Sequence, residues 1–138
     1  MKDFSLQWVI EGFLARSNRP CYWDEKPTVA SLTEWLDAVA NMQIRGILCF
    51  LSQDELAEHY GSCGIDLLAT YRDRKFVVGH MPVSDYRQPP LRRSDLAKIR
   101  AVFGKLPKPC LIHCSAGIDR TGAAVEFIQS QLKQPFTL

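Results

Sequence analysis

The strongest constraint in this chain is the ten-residue stretch 113–122, HCSAGIDRTG, which joins two patterns of different period. Before it, Cys110, Leu111 and Ile112 form an apolar run short enough for a buried strand; after it, Val125, Ile128 and Leu132 recur at helical spacing. A turn that leaves a strand and opens a helix aims several main-chain N–H groups at one point, where the positive end of the helix dipole favours an anion. Gly117 lets such a turn curl without a side chain in the way. Arg120 adds a planar fork able to hold two phosphate oxygens at once, which a lysine could not do. Cys114 stands five intervening residues before that arginine, and the same positive field favours its ionised sulfur. The stretch therefore reads as an anion cradle with a nucleophile at its centre.

Strands alternating with helices are expected on either side of it. Residues 4–16 mix aromatic and β-branched side chains around Gly12 and predict two short strands with a turn between them. Ser31 with Glu34, and Ser52 with Glu55, have capping-box spacing, the first leading a helical face of Leu32, Trp35, Leu36 and Val39 that stops near Asn41. The second box opens a helix expected to end at Gly61, with another helical piece around Leu67 to Tyr71. Residues 47–51 and 76–81 read as strands, and Ser94 as the cap of a helix with Leu96, Ile99 and Phe103 on its inner face, ended by Gly104 and Pro107. The expected architecture is α/β, a mainly parallel central sheet flanked by helices, with residues 1–138 as one domain. In such sheets ligands bind beyond the carboxyl ends of strands, where both Cys114 and Asp85 fall.

The motif resembles the signature of the cysteine-dependent protein tyrosine phosphatase superfamily: His-Cys, five residues, Arg, then Ser or Thr. The chain matches it at His113, Cys114, Gly117, Arg120, Thr121 and Gly122. The opening stretch, with Phe4, Ser5, Trp8, Val9, Gly12, Leu14 and Ala15, loosely resembles the start of small dual-specificity members, although Leu6 and Gln7 interrupt it. The resemblance implies that Cys114 attacks phosphorus and that Ser115, Ala116, Gly117, Ile118 and Asp119, mostly through main-chain N–H groups, hold the phosphate together with Arg120. It implies that Thr121 hydrogen-bonds the sulfur to ease its departure, and that His113 shapes the loop. It also implies a general-acid aspartate on a loop about thirty residues upstream of the cysteine. Asp85 lies 29 positions before Cys114 (114 − 85), in the proline-punctuated segment 81–91. Read without the resemblance, Asp85 caps a turn beside Ser84 and Pro89, and Thr121 caps the first turn of a helix.

Asp119 departs from the glycine that many protein-directed members carry before the arginine, and Asp-Arg there is similar to myotubularin-type lipid phosphatases and some bacterial phosphatases of mixed activity. Against a lipid substrate, Ser115, Ala116 and Ile118 stand where some lipid-directed relatives place lysines. The expected function is a phosphatase that hydrolyses phosphotyrosine, and with it phosphoserine or phosphothreonine, through a phosphocysteine. The alternatives are a phosphoinositide or nucleotide-end phosphatase with the same chemistry, and a non-catalytic module that binds phosphorylated partners. The partner is accordingly a phosphorylated protein or phospholipid substrate. No cofactor and no metal is expected, because the loop and Arg120 supply the positive charge.

A net charge of +2 argues against a nucleic-acid-coating surface or a polybasic membrane anchor. The N-terminal region is interrupted by Gln7 and Glu11 before any long apolar run, so neither a signal peptide nor a membrane span is expected. Five scattered cysteines without a CxxC pair read as reduced thiols, which makes the cytoplasm the expected location. Among them, Cys49 and Cys110 are expected to be buried in strands, with capture of an oxidised Cys114 as the sharper alternative. Superfamily members usually continue beyond the helix that follows the loop. The expectation is thus an abbreviated domain, or one lacking C-terminal helices whose loss would expose apolar surface on the last helix.

Overall fold

The computed structural model describes residues 5–84 and 89–133. Five strands form one sheet in the order β1-β2-β5-β3-β4, with β1 at Gln7–Ile10, β2 at Leu14–Ser17, β3 at Gly46–Cys49, β4 at Val77–His80 and β5 at Cys110–His113. Strands β1 and β2 are antiparallel, joined by a tight turn in which Phe13 N–H donates to the Ile10 carbonyl at 2.9 Å. All other pairings are parallel: β2 with β5, β5 with β3, and β3 with β4. Both faces of this sheet are covered, which is why β3 and β5 are buried at every position and read as unbroken apolar runs.

Successive residues of a strand point to opposite faces, so β3 and β5 feed two separate cores. Leu48, Cys110 and Ile112 pack with Ile99 and Phe103 of α4 (Arg93–Lys105) and with Ala124, Val125 and Ile128 of α5 (Asp119–Leu132). Ile47, Cys49 and Leu111 pack with Leu32, Trp35, Leu36 and Val39 of α1 (Val29–Asn41) and with Leu67 and Tyr71 of α3 (Leu67–Asp73). The remaining helix, α2 (Gln53–His59), is followed by a 3-10 turn at Gly61–Cys63. The result is a three-layer α/β sandwich with the C-terminal ends of its parallel strands gathered along one rim.

Two helix starts differ from expectation. Helix α1 begins at Val29 rather than after Ser31. Thr28 is its cap, its hydroxyl accepting from Ser31 N–H at 3.0 Å, while Thr28 N–H donates to Ser31 Oγ at 3.0 Å. A serine hydroxyl thus takes the place that the capping-box pattern gives to Glu34. Ser94 lies inside the first turn of α4, and Arg92 N–H is taken by Asp95 Oδ2 at 2.8 Å. At its other end α4 runs through Gly104 to Lys105, because Lys108 Nζ donates to the carbonyls of Phe103 and Leu106, both at 2.6 Å. Leu132, expected on the inner face of α5, is 48 % exposed. Among the described residues no helix is long and apolar enough to cross a membrane.

Candidate active site

The turn between β5 and α5 holds the predicted residues. Cys114 follows β5 directly, and its Sγ accepts the Gly117 N–H at 3.2 Å. The sulfur lies at the base of the loop, its residue 2 % exposed. Gly117 has φ +77°, and a β-carbon there would stand 2.6 Å from the Ser17 carbonyl oxygen, so both its conformation and its surroundings require glycine. Ile118 and Asp119 are exposed on the outer side of the loop, Ile118 by 66 %. Asp119 therefore faces solvent while adding a favourable charge to the first turn of α5.

Arg120 is buried at the start of α5, and its guanidinium reaches across the rim of the sheet. Nη1 donates to the Val83 carbonyl at 2.7 Å and the Phe50 carbonyl at 3.3 Å, beyond the ends of β4 and β3. The fork also pairs with both oxygens of Glu55, Nη1 to Oε1 at 2.6 Å and Nη2 to Oε2 at 2.9 Å. Burial alone would raise the Glu55 pKa; its bonds to Arg120 and to Ser52 outweigh that and lower it. Glu55 is a residue of the candidate site for which the sequence gives no functional signal beyond a cap. The capping box had accounted for it, and that role is real: Ser52 N–H donates to Oε1 at 3.0 Å and Glu55 N–H to Ser52 Oγ at 3.2 Å. Its place just past a buried strand in a parallel sheet is what brings it to the site.

His113 is fully buried and bridges loop and scaffold. Its Nδ1 lies 3.0 Å from the Cys114 carbonyl oxygen and its Nε2 2.9 Å from the Tyr71 hydroxyl. A carbonyl only accepts, so Nδ1 carries the proton and Nε2 accepts from Tyr71. Burial, reinforced by the nearby charges of Arg120 and Arg19 against the opposing bond to Cys114, holds His113 down to about 4. The imidazole is neutral at physiological pH. Thr121 is likewise buried, but its Oγ1 has no hydrogen-bond partner among the described residues, so the expected bond to the sulfur is not formed here. Ser115 meets Arg19 instead: Arg19 N–H donates to the Ser115 carbonyl at 2.8 Å and Arg19 Nε to Ser115 Oγ at 3.3 Å. Ala116, half-buried, completes the loop. Asp85, the expected acid, lies outside the described residues.

All five cysteines are free. Cys110 stands at the opposite end of β5 from Cys114, about 13 Å away at strand rise, and Cys49 points into the core on the other face of the sheet. Burial pushes both thiols up to about 12. Cys110 is thus too far from Cys114 for a disulfide, which needs Cα atoms within about 7 Å.

A sulfur under a main-chain donor, at the positive end of a helix and with a buried arginine in the first turn, is an arrangement that suits a bound phosphate ester. No curated protein matches the chain. The tyrosine phosphatase family matches over residues 28–135, most of the chain and all of the loop, and with the mostly parallel sheet beneath that loop it shows that this protein belongs to the tyrosine phosphatase family, a family of phosphate-ester hydrolases.

Proposed function

We propose that the protein hydrolyses phosphotyrosine, and with it phosphoserine and phosphothreonine, through a phosphocysteine on Cys114. Arg120 and the N–H groups of residues 115–119 hold the phosphoryl oxygens, and Asp85 first protonates the leaving oxygen and later takes a proton from the attacking water. His113, uncharged, orients the Cys114 carbonyl. Thr121 Oγ1, buried beside the loop, turns to the sulfur during breakdown of the intermediate. The observation that carries this reading is the Gly117 N–H aimed at Cys114 Sγ at the N-terminus of α5. The Val83 carbonyl on Arg120 supports Asp85, because it ties the chain two residues before that aspartate to the phosphate-binding arginine.

The surface beside the loop favours a protein over an inositol substrate. On the outer side of the loop lies a cleft of about 620 Å³ whose lining includes Ile118, Pro90, Asp119, Glu126 and Arg16 but neither Cys114 nor Arg120. Two carboxylates against one arginine, with an apolar side chain, suit a peptide with basic neighbours better than a headgroup bearing further phosphates. The five free cysteines support a cytoplasmic setting.

Turnover of an aryl phosphate is expected to vanish in Cys114→Ser and to fall about a hundredfold or more in Asp85→Ala; turnover surviving Cys114→Ser would end the covalent reading. A panel of phosphopeptides against phosphoinositides then tests the substrate class, and a clear preference for the lipids would overturn it.

A further inference from the structure

The catalytic loop is braced from behind by the end of β2. Arg16 Nη2 donates to the Gly117 carbonyl at 2.7 Å, and Arg19 takes both oxygens of Ser115, the carbonyl through its N–H and Oγ through Nε. Between them the Ser17 main chain sits so close to Gly117 that no β-carbon fits. In a trans peptide the C=O and the following N–H point in opposite directions. With the carbonyls of 115 and 117 pinned toward β2, the N–H groups of Ala116 and Ile118 are turned the other way. Arg19 is also costly to keep. It is buried against Tyr22 and Tyr60, ring centroids 5.3 and 5.8 Å from its Cζ, and its buried Nη1 has no hydrogen-bond partner among the described residues. A buried donor left unsatisfied destabilises a fold, so stability alone does not account for an arginine here.

We propose that Arg16 and Arg19 are positioning residues: their side chains, on the Gly117 carbonyl and the Ser115 hydroxyl, hold the catalytic loop against the end of β2, so that its N–H groups converge on a phosphoryl group before one arrives. Neither touches the reacting atoms. Their work is to remove the reorganisation that a slack loop would undergo at each turnover. This rests on the reading of residues 114–120 as an oxyanion cradle.

The experiment compares the parent protein with Arg16→Met and Arg19→Met, both checked for fold by circular dichroism and assayed well below their melting temperatures. Orthovanadate is the probe, scored by its protection of Cys114 from iodoacetamide. Absence of protection in the parent would refute the cradle reading itself. With protection in the parent, each variant is expected to need about tenfold more vanadate and to lose about ten- to a hundredfold in kcat on an aryl phosphate, with KM changed by less than about threefold. Folded variants whose vanadate protection and kcat both lie within about twofold of the parent would overturn the proposal. If Arg19→Met does not fold, Ser115→Ala removes the same side-chain bond from the other partner and is judged by the same thresholds.

Discussion

Glu55 meets two demands with its two carboxylate oxygens. Oε1 accepts the Ser52 N–H that opens α2 and also the Nη1 of Arg120, while Oε2 accepts Nη2. Without that pair the buried guanidinium would be an uncompensated charge, a strongly destabilising condition. Glu55→Gln keeps an oxygen for the cap but removes the charge and sets an amide against the fork. Hydrogen bonds to charged groups contribute about 1.5–3 kcal/mol, so kcat/KM is expected to fall about ten- to a hundredfold. Steady-state kinetics on the folded variant would check this; an unchanged kcat/KM would mean that Arg120 is placed without its carboxylate. The conclusion at this scale is that the arginine is fixed in plane by Glu55 and in depth by Val83 and Phe50.

At the level of elements, the capping pattern gave the right helices, α2 starting after Ser52 as expected and α1 and α4 starting earlier than expected. For α1 the decisive side chain is Thr28, so Thr28→Ala is expected to cost about 1 kcal/mol in denaturant unfolding, and Thr28→Ser much less. Equal losses from the two would contradict the hydroxyl-to-hydroxyl cap. What could be read from the chain follows from the distance over which the information is spread. The loop was legible because its cysteine, its glycine and its arginine fall within seven residues, and the sheet because β3 and β5 are unbroken apolar runs. Glu55 and Arg120 are 65 residues apart, Arg16 and Gly117 101, and no local pattern announces such pairs. No local pattern marks Arg16 or Arg19; the parallel pairing of β2 with β5, which puts Ser17 opposite His113, brings them to the loop.

For the molecule as a whole, the buried His113 and the half-buried Glu55 make acid the weak side of its stability. His113 titrates near 4 in the fold against 6.5 when exposed, so between those values the unfolded chain binds the extra proton. Stability is therefore fully present above pH 6.5 and is lost as pH falls toward 4; the 2.5-unit gap corresponds to about 3 kcal/mol at most. Glu55 acts in the same direction at lower pH: its carboxylate is favoured by the fold, and that contribution disappears as it is protonated. Urea unfolding between pH 7.5 and 4.5 should show a falling midpoint, and in His113→Asn the fall across this range should be much smaller. A flat profile in the parent would mean that the imidazole is hydrated rather than sealed.

The antiparallel hairpin of β1 and β2 covers the outer side of β5, the strand that leads into Cys114. A chain trimmed to begin at Thr28 would keep every residue of the catalytic loop, yet β5 would become an edge strand with a row of unpaired amides and carbonyls. Such an exposed ladder recruits other chains. The trimmed protein is expected to elute as soluble aggregates in size-exclusion chromatography and to show no aryl phosphate turnover, while the full chain elutes without them.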